Sequence, residues 1–322
     1  MEGQQALGRG QGLSPRQMRR TMALGGLSLC AAGSGQVDWR WVLVFLPVVS
    51  AAGGWLVSRL KDGGLEGRQN GRAVCVLYGA GAVLLLGRVL ERAVNRLTRT
   101  GGSEEHWGWM LLLLAAFLCW LCWGKQAVFF RMAEVLWLAG GAVMAVLTAA
   151  LLPHVQWAYL MSSRAGWWTS LMWLLEVSAA GLYLVPHLGG VVPSPEGRGN
   201  SGWLCPGLLG LLFAVVSALT VGCLGWALAS RLPGAIFFAT GSIYTTSRLE
   251  GLVSALWLIP DLTLGALLAR SWGTGWRAML AVLLAAAAAW WGIAGRVGPA
   301  VVALLVVCLT GFTSVLPQKA QK

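Results

Sequence analysis

LLLLAAFLCWLCW, residues 111–123, is apolar on every side of any helix or strand drawn through it. An amphipathic helix of a soluble protein keeps a polar face. A membrane-barrel strand alternates polar and apolar residues over about ten positions. Neither pattern is present. Comparable runs occupy 39–58, 73–90, 132–152, 166–186, 203–230, 251–269, 276–294 and 297–316. Each approaches or exceeds the roughly 20 residues that a helix needs to cross a bilayer. Charged residues are 11% of the chain and apolar residues 57%, against about 25% charged in soluble domains. The charges fall almost entirely between the runs. Backbone groups in lipid must be satisfied within their own segment, so the expectation is an all-α polytopic membrane protein.

A further, shorter span is read at 21–35, TMALGGLSLCAAGSG, behind Arg16, Arg19 and Arg20. A basic stretch before a short apolar one has the outline of a secretory signal, and LSLC at 27–30 hints at a lipoprotein site. The preferred reading is a first transmembrane helix interrupted by Gly25, Gly26, Gly33 and Gly35, in the manner of the discontinuous helices of secondary transporters. About ten transmembrane helices follow, with both termini on one side. Placing the N-terminus in the cytoplasm puts about 15 of the 24 basic residues there, the sense of the positive-inside rule. Residues 1–20 are then a cytoplasmic tail, 21–316 a single transmembrane domain and 317–322 a C-terminal tail. Arg88, Arg92, Arg96 and Arg99 fall outside in this scheme, along one face of a helix prolonging the third span. They are expected to snorkel to the headgroups, unless a span boundary lies elsewhere.

The net charge of +12 belongs to membrane edges, and no basic cluster carries interleaved aromatics on a soluble face, so nucleic acid is not an expected partner. Several of the 19 Trp residues sit at span ends, where indoles favour the interface. The seven cysteines lie mostly inside apolar runs and read as small hydrophobes; this includes the CxxC of Cys119 and Cys122. No HExxH, P-loop, GxSxG or paired-carboxylate pattern occurs. Neither an enzyme, a metal nor a cofactor is expected.

Ionisable residues inside spans are the functional candidates, because burying them is expensive without a partner. Glu134 follows Arg131 at a spacing that lets the two pair on one helix face as a structural ion pair. Arg248 and Glu250 open the eighth span and read as a second such pair. Glu176, alone in WWTSLMWLLEVSAAGLYLV, must face the bundle interior or a cavity. Asp261 follows Pro260, which frees a backbone carbonyl. Residues 231–250 are only moderately apolar and suggest a short helix or re-entrant piece packed on the protein.

GKQAVFFRMAEVLWLAGGAVMAVLTAALLP (124–153) resembles the permease-like B subunits of spore germinant receptors, in which an Arg–x–x–Glu pair leads into the fifth span and a Leu-Pro follows it. SRLEGLVSALWLIPDLTLGALL (247–268) is similar to the opening of their eighth span. LSPRQM (13–18) and the Trp-led second span at Trp39 and Trp41 resemble their N-terminal region, and Glu176 matches a sixth-span Glu. The resemblance covers nearly the whole chain at the level of ten spans. This chain departs in its richness in Trp, Ala and Gly. Membership would imply the amino acid–polyamine–organocation superfamily, with a LeuT-like five-plus-five inverted repeat and broken first and sixth helices. It would also imply a ligand site at Gly25, Gly26, Ser28, Ser34 and Glu176 for a small amino acid-like nutrient. The implied partners are a larger A-type membrane subunit and a C-type lipoprotein in the spore inner membrane. An amino-acid or cation transporter of the same fold, and a structural membrane subunit without ligand, are the alternatives.

Overall fold

The computed structural model describes residues 15–59, 72–100, 104–124, 126–189, 204–232, 234–243, 253–273 and 275–293. The apolar run at 297–316, the tails 1–14 and 317–322, most of the loop at 189–202, and Arg248 with Glu250 lie outside the described residues. Every described element is helical. The longer ones are α1 (Pro15–Gly33), α2 (Trp39–Arg59), α3 (Arg72–Thr100), α4 (Trp107–Trp123), α5 (Gln126–Leu151), α6 (Trp167–Gly189), α7 (Leu204–Leu224), α8 (Ala235–Ile243), α9 (Leu258–Arg270) and α10 (Trp276–Trp290). Short helical turns occupy Trp157–Met161 and Trp226–Ala229. Among the described residues, three helices are long and apolar enough to cross a membrane, over Arg131–His154, Gly207–Leu224 and Val253–Arg270. This is the pattern of a membrane protein.

The surface of the bundle supports the same conclusion. Helix α4 exposes Trp109 (69%), Leu113 (68%) and Trp120 (69%), and α5 exposes Val135, Leu138 and Val146. Meanwhile Asp38, Arg96, Glu176, Asp261 and Arg270 are buried. Water would penalise both halves of that arrangement: apolar patches of this extent mark contact surfaces, and buried charges need partners. Hydrocarbon reverses the first penalty and enforces the pairing.

Helix α1 lies at the centre. It packs against α5, α6, α7 and α9, with Leu24, Leu27, Leu29, Cys30 and Ala31 buried. Around it, α2 packs on α6 and α7, and α3 on α4, α9 and α10. The joint between α1 and α2 is fixed by Asp38. Its Oδ1 accepts from the Arg40 backbone N–H and from Arg40 Nε, both at 3.0 Å, and its Oδ2 accepts from Arg40 Nη2 at 2.8 Å. The first of these bonds satisfies an otherwise orphan donor in the first turn of α2. The Asp38 N–H donates to Ser170 Oγ at 3.0 Å and Arg40 Nη2 to the Ser163 carbonyl at 3.0 Å. The C-terminal end of α1 is thereby tied to the start of α6.

The expected interruption of the first helix is absent. Helix α1 is continuous from Pro15 to Gly33, and α6 runs unbroken past Glu176 to Gly189. The glycines are close-packing points instead. A Cβ on Gly26 would lie 2.7 Å from Leu209 Cδ1, one on Gly25 would touch Leu264 at 3.4 Å, and one on Gly35 would run into the Ala229 carbonyl oxygen. Small residues let helix backbones approach in a membrane, and the neighbours fill the space they leave. Gly26→Leu is therefore expected to lower the yield of folded protein, because overpacking a filled core costs about 1–3 kcal/mol. Normal yield and thermal midpoint in that variant, measured by size-exclusion chromatography after heating, would argue against this packing. The short piece read at 231–250 is present as α8, with Ala235, Ile236, Phe237 and Ala239 buried.

Candidate functional site

Arginines spaced by four residues on α3 build the site. One helical turn is 3.6 residues, so Arg88, Arg92 and Arg96 fall on a single stripe. That stripe faces the protein interior. The expected snorkelling to headgroups does not occur for these three; Arg99 alone of the four is exposed. Each inward guanidinium meets a carboxylate. Arg88 Nη1 reaches Glu91 Oε2 at 3.3 Å on its own helix, Arg92 Nη2 lies 2.9 Å from Glu176 Oε1 on α6, and Arg96 Nη2 pairs with Asp261 Oδ2 on α9. The long-range pairs tie α3 to two other helices.

A pocket of about 130 Å³ opens against this stripe. Arg88, Arg92, Asn95 and Arg96 form its α3 wall, Ala32 comes from the last turn of α1 and Gln36 from the turn after it, and Trp173, Gly234 and Phe237 complete it. The Arg92 guanidinium carbon lies 4.6 Å from the Trp173 ring centroid, and that of Arg96 lies 5.1 Å from Phe237. Each planar cation is held over an aromatic face, a geometry that suits arginine rather than lysine. The Trp107 indole donates to Asn95 Oδ1 at 2.7 Å and fixes that amide. Gly234 adopts φ +66° at the entry to α8, a conformation that favours glycine.

The polar groups of this site are not all satisfied from within. Arg92 Nη1 and Nη2 and Glu176 Oε1 are buried, and beyond the 2.9 Å approach of Nη2 to Oε1 they have no well-aligned hydrogen bond. The Arg92–Glu176 approach is thus an electrostatic one, close but poorly aligned. Buried donors and acceptors left unmatched cost about 1–3 kcal/mol each. Three guanidiniums are matched by three carboxylates, so the stripe and its partners are neutral in sum.

The residues expected to form the ligand site divide. Glu176 stands behind the pocket as the partner of Arg92. Gly25, Gly26 and Ser28 do not line it, and the Ser34 hydroxyl donates to the Ala31 carbonyl at 3.0 Å. Asn95, Trp173, Gln36 and Phe237 were not foreseen. The signal for Trp173 was its position one turn before Glu176 on the same face of α6.

The expected Arg131–Glu134 pair is replaced. Glu134 pairs with Arg20 of α1 and accepts from Gln17 Nε2 at 3.1 Å, while Arg131 is exposed. With 41% and 29% of the two side chains exposed, the contribution is about 0–1 kcal/mol. Arg131→Ala should leave the thermal midpoint unchanged, and Arg20→Ala should lower it by a degree or so, as read by intrinsic tryptophan fluorescence. The reverse ranking would restore the local pair.

Cys30, Cys119, Cys122 and Cys223 are free thiols. No group of His, Cys, Asp and Glu suited to a metal occurs among the described residues. The chain matches no protein-family model and no curated protein.

Proposed function

We propose that the chain is a multi-pass membrane protein that receives a small, polar, net-neutral solute in the arginine-lined pocket, acting as a permease-like nutrient-sensing subunit. The observation that carries this reading is the inward stripe of Arg88, Arg92 and Arg96 around a pocket inside a bundle whose outer surface is apolar. Charges so placed are costly in a membrane protein and mark solute or ion pathways. With the N-terminus in the cytoplasm, α3 ends on the outer side, and the pocket lies in the outer half of the membrane. A nutrient would reach it from outside.

The resemblance to B subunits of spore germinant receptors gives this reading its context: the solute is amino acid-like, and the response passes to an A-type and a C-type partner in the spore inner membrane. In this proposal the ten spans form a five-plus-five inverted repeat. Recognition differs from the expectation for that family, because guanidinium groups rather than unwound backbone at Gly25 and Gly26 meet the solute carboxylate.

Two measurements test the proposal. Reporter fusions after residues 65 and 322 should both report cytoplasm; a fusion at 322 reporting the outside would refute the ten-span arrangement. Full-length protein in nanodiscs should bind L-alanine, with saturation abolished by Arg92→Gln. Absence of saturable binding by small amino acids would shift weight to a structural subunit, and uptake of the solute into proteoliposomes would identify a transporter.

A further inference from the structure

We infer that Trp173 sets the upper size limit of the solute, and that Gly33 positions it to do so; the inference rests on the solute-binding reading above. The Trp173 ring forms one wall of the pocket and lies under Arg92. It also packs on the hydrophobic core and against the end of α1. A Cβ on Gly33 would sit 2.6 Å from Trp173 Cε3 and 2.9 Å from both Cδ2 and Cζ3. The indole therefore fills the space that a side chain at 33 would occupy. It has no room to withdraw towards α1, and it lines the pocket as well. Phe237, buried beneath Arg96 and packed edge-on against Trp257, gives a second aromatic wall.

The volume fixes what these walls admit. The pocket measures about 130 Å³. An apolar cavity of about 150 Å³ in another protein holds one benzene, a solute of about six non-hydrogen atoms. L-Alanine is of that size. The longer side chain of L-leucine exceeds that volume and, where it turns towards α6, presses on an indole that already occupies the space left by Gly33. Discrimination by an excluded alkyl group in a rigid pocket amounts to about tenfold or more.

The test uses full-length protein in nanodiscs, with L-alanine and L-leucine as probes. Wild type should bind alanine at least about tenfold more tightly than leucine, and Trp173→Ala should bring the two within about threefold. Gly33→Ala should weaken alanine binding by pressing the ring into the pocket, and adding Trp173→Ala to it should restore binding. An alanine-to-leucine preference unchanged by Trp173→Ala overturns the inference. A second measurement keeps it separate from the solute-binding reading. In Ala32→Cys protein, the pocket thiol is labelled by a small methanethiosulfonate or by a bulky biotin maleimide, and its labelling is located by peptide mass spectrometry. Trp173→Ala should accelerate the bulky reagent selectively. If it does so while neither amino acid binds any variant, the size limit stands and the nutrient reading fails. If bulky labelling is unchanged, Trp173 is not the limiting wall.

Discussion

Asp261→Asn is expected to lower the amount of folded protein severalfold and to reduce its thermal midpoint more than any other single change discussed here. Asp261 is 5% exposed and Arg96 8%, so both charges are largely removed from bulk water. Removing one partner of a buried ion pair costs about 3–5 kcal/mol, because the remaining buried charge loses its counter-ion. Removing both should cost little, since well-packed apolar residues of similar volume often replace such pairs without loss. Arg96→Met combined with Asp261→Leu is therefore expected to recover most of the folded protein. Arg96 also lines the pocket, so the recovered double variant should remain deficient in solute binding. Heating the detergent-solubilised variants and measuring the surviving monodisperse fraction gives the ranking. A wild-type midpoint for Asp261→Asn alone would mean that water reaches the pair.

The distinction between local and long-range information explains what the sequence disclosed. Helices α2, α4, α5, α6 and α7 were legible because a run such as 111–123 has no polar face, and no tertiary contact is needed to read that. The common face of Arg88, Arg92 and Arg96 was legible too, from spacing alone. The direction in which that face looks was not. It is set by Glu176 on α6 and by Asp261, 165 residues from Arg96, and neither spacing nor composition announces such partners. Glu134 makes the same point in reverse. Arg131 stands at the right helical spacing, yet Arg20 takes the carboxylate from 114 residues away because α1 packs along α5.

Gly25 and Gly26 failed as signals for a related reason. Glycine lowers helix propensity by roughly 1 kcal/mol relative to alanine, which makes a broken helix a fair expectation from α1 alone. In the folded protein Leu209 and Leu264 pack into the space of the missing side chains. Helix–helix contact therefore offsets the intrinsic preference. The same packing moves the candidate site along α1 from its glycines to its end at Ala32 and Gln36, where the helix stops and the walls separate.

Glu176→Gln should exchange the preferred solute of the pocket rather than merely weaken it. The substitution keeps the shape of a side chain that is 1% exposed and removes one negative charge. The three arginines then face two carboxylates, and the pocket carries a net positive charge. A zwitterion then sets its ammonium group beside an uncompensated positive charge, whereas a simple carboxylate of the same size gains. A hydrogen bond to a charged group contributes about 1.5–3 kcal/mol, roughly tenfold to a hundredfold in affinity. L-Alanine binding should fall by about that factor while propionate binding rises. Folding should suffer less than in Asp261→Asn, because the Arg92 side chain is 15% exposed and its charge rests on the Trp173 face. Exchanging the residues, Arg92→Glu with Glu176→Arg, should restore the fold but neither solute, since the guanidinium no longer projects from α3 into the pocket. Titrating both solutes against nanodisc-held protein, at matched folded amounts, reads the result. An equal fall for alanine and propionate in Glu176→Gln would make Glu176 a purely structural partner of Arg92.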